Sequence, residues 1–262
     1  MAISDNAALV TGGGKRLGRA MAIYLARRGM DVAVHYAGSA EAAADTVAEI
    51  EALGVRAVAL QADLLDEAAT AGLIGQAREA LGPLSVLINN ASIFEYDRIE
   101  TATRESWDRH MGSNLRAPFV LTQHFAAQAP KAVKDTNGEP EAQAVVVNMI
   151  DQRVRKLTPE FMTYTIAKMG LWAFTQTAAQ GLAPDIRVNA IGPGPTLIGA
   201  RQSAAHFAAQ RQNTVLERGA NPADIVAALG FILESPALTG QLLCMDGGQH
   251  LAWKTPDIQG VE

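Results

Sequence analysis

Tyr164 and Lys168, in the segment Tyr-Thr-Ile-Ala-Lys, are the residues whose types and spacing most clearly suggest chemistry. On a helix, side chains at positions i and i+4 lie on the same face. The ammonium of Lys168 is then expected near the phenol of Tyr164, where it favours phenolate and lowers a pKa that is ordinarily about 10. A tyrosine tuned in this way can transfer a proton near neutral pH. The spacing therefore predicts a proton donor at Tyr164.

A glycine-rich turn near the start of the chain predicts a matching source of hydride. Residues 8–18 read Ala-Leu-Val-Thr-Gly-Gly-Gly-Lys-Arg-Leu-Gly, which indicates a strand, a turn and the start of a helix. Glycines let the backbone approach a pyrophosphate, and the helix N-terminus stabilises its charge. Taken alone, the turn is equally consistent with a tight connection that needs positive φ. Together with Tyr164, it predicts a nicotinamide-dependent reductase.

Short apolar runs alternate with longer amphipathic segments along the 262 residues. This alternation is typical of an α/β fold, a doubly wound parallel sheet with helices on both faces. We expect one Rossmann-like domain over residues 1–262, with a cofactor half to about residue 150 and a catalytic and substrate half after it. The predicted strands are Ala7–Thr11, Asp31–Tyr36, Val55–Gln61, Leu84–Asn89, Ala144–Met149, Ile186–Ile191 and Gln241–Met245. The predicted helices are Leu17–Arg28, Ala40–Leu53, Glu67–Leu81, Arg104–Ala129, Pro159–Leu182 and Pro222–Leu233.

Two segments interrupt this alternation. Lys131–Gln143 is polar and rich in turn residues, which predicts a surface loop without a chemical role. Gly192–Gln212 follows a strand and contains Pro193, Pro195 and small residues, which suggests a mobile lid.

Composition excludes several classes of protein. A net charge of −5 argues against a nucleic-acid surface, which needs a clustered basic excess. The single cysteine, Cys244, permits no internal disulfide and fits a reducing cytoplasm. No signal peptide and no apolar run of membrane-spanning length is visible, and the five histidines have no metal-site spacing. We expect a cytoplasmic protein that acts on a small molecule and has no metal.

Several motifs occur in an order that resembles the short-chain dehydrogenase/reductase family over nearly the full chain. They are Thr11-Gly12 with Gly18, Asn89-Asn90-Ala91, Asn114, Tyr164-x-x-x-Lys168, Asn189-x-x-x-Pro193-Gly194 and Asp246-Gly-Gly248. Departures from the commonest pattern are similar to the pteridine reductase branch, which includes dihydromonapterin reductases. Arg16 stands where many members have glycine, Ser92 and Phe94 follow the Asn-Asn-Ala, and Asp151 replaces the usual serine.

This resemblance implies roles for individual residues. The implied catalytic residues are Asp151, Tyr164, Lys168 and Asn114, the last holding a water in a proton relay to the lysine. The implied cofactor-binding residues are Gly12, Lys15, Arg16, Leu17, Gly18, His35, Tyr36, Ser39, Asp63, Leu64, Asn90, Ala91, Ser92, Tyr164, Lys168, Pro193, Gly194 and Thr196. The implied substrate-binding residues are Arg16, Ser92, Phe94, Asp151 and Tyr164. From sequence alone, Asp63 is equally a helix cap, and Asn89–Ala91 is also consistent with an Asx turn.

Asp151 bears most directly on the substrate. An ionised carboxylate only accepts hydrogen bonds, whereas a serine would donate one to a ketone oxygen. Asp151 therefore suits a substrate with amino or ring N–H groups, such as a pterin, or a role in orienting Tyr164. In this interpretation Phe94 stacks on the flat heterocycle.

The cofactor is predicted to be NADPH. No acidic residue follows the second strand to bind a ribose 2′-hydroxyl, while Arg16, Lys15 and Ser39 could meet a 2′-phosphate. Pteridine reductases often have an arginine where this chain has Gly38, which weakens the preference without reversing it.

Other functions remain open from sequence. One alternative is an NADP(H)-dependent carbonyl reductase of an oxoacyl, sugar or quinone substrate; a non-catalytic nucleotide-binding scaffold is another. The resemblance also implies a homotetramer, in which the helices Arg104–Ala129 and Pro159–Leu182 pack between subunits and Leu251–Trp253 lies near a neighbour.

Overall fold

Seven parallel strands form the central sheet of the computed structural model, which describes residues 7–199 and 202–254. Their order is β3-β2-β1-β4-β7-β8-β9. Adjacent strands β5 and β6 form a separate two-stranded hairpin. The strands are β1 Ala7–Val10, β2 Val32–Tyr36, β3 Ala57–Gln61, β4 Leu84–Asn89, β5 Val133–Lys134, β6 Pro140–Glu141, β7 Ala144–Met149, β8 Ile186–Pro193 and β9 Leu242–Met245.

Helices cover both faces of this sheet, as a buried parallel sheet requires. One apolar layer joins the sheet to α1 and α8 through residues such as Met21 and Leu229, and the other joins it to α3 and α5 through Leu73 and Phe125. The predicted doubly wound α/β fold is confirmed. The helices are α1 Arg16–Arg27, α2 Ala40–Glu51, α3 Glu67–Leu81, α4 Arg104–Met111, α5 Ala117–Gln128, α6 Met162–Leu182, α7 Ala204–Gln212 and α8 Pro222–Glu234.

The predicted helix Arg104–Ala129 is interrupted. Residues Gly112–Arg116 form a π-helical turn between α4 and α5, and Ala117 N–H donates to the Gly112 carbonyl five residues back. Apolar periodicity cannot reveal one extra residue in a turn, and such bulges are frequent at functional sites. The turn contains Asn114.

The other predicted boundaries shift less. Helix α6 begins at Met162 rather than Pro159, because Phe161 takes a left-handed conformation with φ 56°. The predicted loop Lys131–Gln143 contains the β5–β6 hairpin. Segment Gly192–Gln212 begins inside β8 and contains α7.

All carboxyl ends of a parallel sheet lie at one edge, and a ligand crevice forms where the strand order reverses. Here β1 lies between β2 and β4, so the reversal places the turns after β1 and β4 side by side. Across the described residues, no helix combines the length and apolarity needed to cross a membrane.

Candidate active site

The glycine turn after β1 is tied to the end of β4 by one buried threonine. Thr11 Oγ1 accepts hydrogen bonds from the N–H groups of Asn90 and Ala91 at 2.8 and 2.9 Å. In return, Asn90 Nδ2 donates to the Thr11 carbonyl at 2.8 Å. The two predicted cofactor segments are therefore held as one rigid corner.

The turn itself has the backbone geometry of a phosphate-binding turn. A Cβ on Gly18 would lie 2.1 Å from the Gly12 carbonyl oxygen, so only glycine permits this packing of α1. Gly12 has φ +61° and Arg16 has φ 52°. The first turn of α1, all of it within the described residues, has no acidic residue, and its N-cap Lys15 makes no side-chain capping bond. The N–H groups of this turn are thus suited to a pyrophosphate.

His35 supports the turn from below. Its ring is buried; Nδ1 accepts from Gly12 N–H at 3.1 Å, and Nε2 lies 3.1 Å from the Ala62 carbonyl. Burial lowers the pKa of His35, so the ring is neutral and Nε2 carries the proton. Both nitrogens are occupied, so the predicted role in the cofactor site becomes one of holding Gly12 in place.

The remaining residues predicted around the adenosine lie at the ends of β2 and β3. Tyr36 and Ser39 are half-buried, and Leu64 is buried. Asp63 is exposed, and its Oδ1 accepts from Leu65 N–H at 3.0 Å, an Asx-type bond. Its predicted contact with adenine remains a prediction.

Arg16 points away from this end of the site. Its guanidinium donates to the carbonyls of Leu197 and Ile198 at 3.1 and 2.9 Å, across to the segment after β8. Lys15 is exposed on the same turn, and its predicted contact with a 2′-phosphate remains a prediction.

This difference gives a paired prediction. Lys15→Ala is expected to raise the KM for NADPH by about 10-fold or more and the KM for NADH little, because a charge-assisted contact contributes roughly 1.5–3 kcal/mol. Arg16→Ala is expected to raise both KM values by similar factors, because it releases the segment after β8. Steady-state kinetics with both cofactors test this. If Arg16→Ala instead raised the KM for NADPH much more than the KM for NADH, Arg16 would be assigned to the 2′-phosphate.

The predicted proton donor meets the predicted carboxylate directly. Tyr164 lies in the first turn of α6, and its hydroxyl donates to Asp151 Oδ2 at 3.0 Å. Asp151 follows β7, and its Oδ1 accepts from Arg153 N–H at 2.8 Å. The structure thus brings Asp151 and Tyr164 together as a hydrogen-bonded pair.

The prediction that Tyr164 has a lowered pKa is wrong for the protein alone. Burial raises the pKa of Tyr164 well above its ordinary value, and the charge and hydrogen bonding of Asp151 raise it further. Burial likewise raises the pKa of Asp151. The error lay in counting only Lys168 among the neighbours. Tyr164 is therefore protonated at neutral pH, as a proton donor must be.

Lys168 is buried on the same face of α6. Its Nζ donates to the Met149 carbonyl at 2.8 Å and lies 5.6 Å from the centre of the Tyr164 ring. Burial lowers the pKa of Lys168 to about 8, while the charge of Asp151 acts in the opposite direction. Lys168 thus titrates near physiological pH.

This pKa predicts how the activity depends on pH. Below about pH 8 Lys168 is an ammonium and stabilises negative charge on Tyr164 as its proton leaves; above that pH the charge is lost. We expect kcat/KM for reduction to fall above about pH 8. In Asp151→Asn the fall should begin at lower pH, because the carboxylate raises the pKa of Lys168. A pH–rate profile that stays level through about pH 10, the ordinary range of lysine, would contradict a role for this charge.

Asn114 lies inside the π-helical turn and is fully buried. Its Oδ1 accepts from Ile93 N–H and its Nδ2 donates to the Ile93 carbonyl, both at 2.8 Å. The side chain therefore fixes the segment after β4, and the predicted relay water remains a prediction.

An aromatic group flanks the phenol. The ring of Phe94 stacks on Phe161 at 4.3 Å and meets the ring of Tyr164 edge-on at 4.7 Å. Phe94 is 44% exposed, so part of its surface remains accessible to a ligand. Ser92 is also exposed, and its hydroxyl lowers the pKa of Tyr164, against the larger opposing effects of burial and Asp151. These positions agree with the predicted substrate side of the site.

The segment after β8 closes the opposite side. Gly194 N–H donates to the Met245 carbonyl at 3.0 Å, and a Cβ on Gly194 would lie 2.6 Å from that of Asp246. Thr196 Oγ1 donates to the Gly194 carbonyl at 3.0 Å. Pro193 ends β8 beside them. This close packing explains the glycine and places the segment at the sheet edge that holds Tyr164.

Comparison with known proteins agrees with this geometry. The family model for short chain dehydrogenases matches residues 6–208. The chain belongs to the short-chain dehydrogenase family. The solved structure of FolM alternative dihydrofolate reductase 1 from Brucella suis, in complex with NADP, is 40% identical, covers 98% of this chain and 100% of its own, and has a TM-score of 0.90.

Two curated short-chain dehydrogenase relatives extend the comparison. Uncharacterized oxidoreductase MT0954 of Mycobacterium tuberculosis is 36% identical over 268 residues, with 98% of this chain and 97% of its own covered. The 3-oxoacyl-[acyl-carrier-protein] reductase FabG of Staphylococcus aureus is 30% identical, with 93% and 98% covered. The relatives thus include enzymes named for both a dihydrofolate and a ketone substrate.

Sequence reasoning missed residues that hold the predicted site residues in place. Thr11 belongs to the Thr11-Gly12 motif, and its position directly after β1 could have marked it as a site residue. Phe161, Asp97 and His110 gave no such signal, because their contacts are with distant parts of the chain. Among the described residues of this short-chain dehydrogenase, no group of three or more His, Cys, Asp or Glu side chains could hold a metal ion.

Proposed function

We propose that the protein is an NADPH-dependent reductase of a pterin, converting a dihydropteridine or dihydrofolate to its tetrahydro form. The observation that carries this proposal is the 3.0 Å hydrogen bond from Tyr164 to Asp151, where ketone reducers of the family have a serine. A carboxylate at this position accepts hydrogen bonds from a pterin's N–H groups but, while ionised, donates none to a ketone oxygen.

The cofactor is proposed to lie along the turn after β1. The N–H groups at the start of α1 would hold its pyrophosphate, and Gly18 permits the close packing of α1 against the turn at Gly12. NADP is the ligand named for the Brucella FolM enzymes and for a short chain dehydrogenase from Burkholderia cenocepacia. When bound, NADPH supplies hydride.

The protein's own residues supply the other half of the reaction. Reduction of a C=N bond needs hydride at carbon and a proton at nitrogen. Tyr164 is protonated at neutral pH and would donate to the nitrogen, while Lys168 stabilises the phenolate that is left. Asp151 orients the hydroxyl, and Phe94 offers an aromatic surface to a flat ring.

A substrate panel tests the proposal. We expect the wild type to oxidise NADPH with dihydrobiopterin and dihydrofolate and to ignore a simple diketone. Phe94→Ala should raise the pterin KM by about 5- to 100-fold, because stacking a base on an aromatic ring contributes about 1–3 kcal/mol in nucleic-acid sites. Tyr96→Ala, another exposed aromatic beside Phe161, is the matched control. Rapid turnover of the diketone with neither pterin reduced would refute the pterin assignment.

Carbonyl reduction is the second candidate function. The 30% identity to FabG across nearly the whole chain favours it. The same substrate panel separates the two functions, because its pterins offer N–H groups to Asp151 and its diketone offers none.

We also propose a homotetramer in the cytoplasm. Exposed apolar side chains on α5 and α6, Phe119, Ile166 and Met169, would be covered by a neighbouring subunit, as would Phe231 and Leu251 beside β9. Light scattering coupled to size-exclusion chromatography measures the state directly, and a monomeric mass at micromolar concentration would contradict it.

A further inference from the structure

The first turn of α6, which carries Tyr164, is capped from a distant part of the chain. The helix's own N-cap is Phe161, which has no side-chain capping bond and a left-handed backbone. Asp97 takes that role instead. Its carbonyl accepts from Phe161 N–H at 2.8 Å, and its Oδ1 accepts from Thr163 N–H at 3.2 Å. A carboxylate suits a helix N-terminus because it accepts the free N–H groups and opposes the positive end of the dipole.

The capping carboxylate belongs to a buried chain of polar groups. Thr163 Oγ1 donates to Asp97 Oδ2 and is 2.7 Å from His110 Nδ1. His110 Nε2 accepts from Glu95 N–H at 3.1 Å, so the proton of the neutral ring is on Nδ1 and is donated to Thr163. Asp97, Thr163 and His110 are each at most 2% exposed. Thr163 Oγ1 therefore accepts a hydrogen bond from His110 and donates one to Asp97.

The charge of Asp97 is maintained despite its burial. Burial opposes ionisation, but hydrogen bonds from Thr163 and Ser106 hold the pKa of Asp97 below its ordinary value. Burial lowers the pKa of His110, which keeps that ring neutral. The hydrogen bonds thus run in one fixed direction: the His110 imidazole donates to the Thr163 hydroxyl, which donates to the Asp97 carboxylate.

Three segments meet at this chain: the segment after β4, helix α4 and the start of α6. Phe94 lies three residues before Asp97, while Phe161 and Tyr164 flank Thr163. The Phe94–Phe161 stack and the edge contact of Phe94 with Tyr164 join the same segments. The polar chain therefore determines where the aromatic surface lies relative to the phenol.

We propose that Asp97, Thr163 and His110 form a positioning unit for the reaction, which sets the aromatic surface of Phe94 at the distance from the Tyr164 hydroxyl that a flat substrate needs. The unit would act through Phe94 and Tyr164, because its own three side chains are at most 2% exposed. The proposal rests on the proposed function in taking Tyr164 as the proton donor and a flat ring on Phe94 as the substrate.

Thr163→Val tests the unit, because valine keeps the shape and removes the hydroxyl. We expect kcat/KM for dihydrobiopterin to fall roughly 10- to 100-fold, the scale of a misplaced reacting group, with NADPH affinity by fluorescence titration unchanged. Thr163→Ser restores the hydroxyl and should restore most of the activity. Thr70→Val removes another buried helical hydroxyl, on α3, and should leave kcat/KM at the wild-type value.

A double mutant separates positioning from general stability. If Thr163 acts through Phe94, then Thr163→Val should lower kcat/KM by a smaller factor in the Phe94→Ala background than in the wild type. If Thr163→Val lowers kcat/KM by the same factor in both backgrounds and also lowers Tm, the three residues act only as a helix cap and the proposal is overturned.

If the proposed function is wrong, the wild type will not reduce the pterins. The Thr163 variants are then compared on the ketone that the wild type does reduce. A crystal structure of Thr163→Val needs no substrate at all. A separation of the Phe94 and Tyr164 rings unchanged from 4.7 Å would overturn the positioning role.

Discussion

Tyr164→Phe is expected to lower kcat by about 100-fold or more, the usual contribution of a positioned acid, with little change in cofactor affinity. Phenylalanine preserves the ring contacts with Phe94 and His110 and removes only the hydroxyl. Its loss also removes a hydrogen bond from the buried carboxylate of Asp151, so the pKa of that group should rise further. Stopped-flow and steady-state measurements of NADPH oxidation give both quantities.

The matched control is Tyr24→Phe. Tyr24 also has a hydrogen-bonded hydroxyl, which accepts from Arg28 at 3.0 Å on α1. This variant should retain wild-type kinetics. A Tyr164→Phe enzyme with near-normal kcat would mean that another group donates the proton.

Asp151→Ser is expected to depress dihydropterin reduction by roughly 100-fold, while NADPH binding is retained. Serine is itself a good N-cap, so the short helix that follows, which begins at Gln152, should persist. What is lost is the negative charge of the carboxylate and one of its two oxygens, which weakens hydrogen bonding from Tyr164 and from the substrate's N–H groups. The new hydroxyl is the donor that ketone reducers use, so weak reduction of a diketone should emerge.

Asp66→Ser provides the control for Asp151→Ser. Asp66 caps α3 through hydrogen bonds from the N–H groups of Ala68 and Ala69, whereas Tyr164 lies on α6. The same exchange there should change neither kcat nor KM. Unaltered pterin turnover in Asp151→Ser would remove the basis for preferring a pterin to a ketone.

Much of the fold follows from patterns that are local in sequence. Apolar runs predicted all seven strands of the main sheet, and those of the inner strands are nearly continuous because these strands are buried on both faces. The i, i+4 spacing placed Tyr164 and Lys168 on one face of α6. The position of Asp151 after β7 placed its carboxylate at the same edge.

What sequence could not supply depends on distant contacts. The pKa of Tyr164 depends on burial and on Asp151, which outweigh the nearby lysine. The π-helical turn at Asn114 adds one residue without disturbing the apolar pattern. The N–H of the left-handed Phe161 is bound by the backbone carbonyl of Asp97, 64 positions earlier in the chain. The carbonyls that the Arg16 guanidinium binds lie 181 and 182 positions later.

That last contact makes the two ends of the crevice thermodynamically linked. The backbone of Arg16 belongs to the turn proposed to hold the pyrophosphate, and its head group holds the carbonyls of Leu197 and Ile198 on the far side. A ligand that favours or releases these two bonds alters both subsites at once. Linkage is reciprocal: the factor by which cofactor changes the affinity for an inhibitor is the factor by which that inhibitor changes the affinity for cofactor. Inhibitors of this enzyme should therefore be ranked on the cofactor-loaded protein, because the order found on the empty one need not carry over.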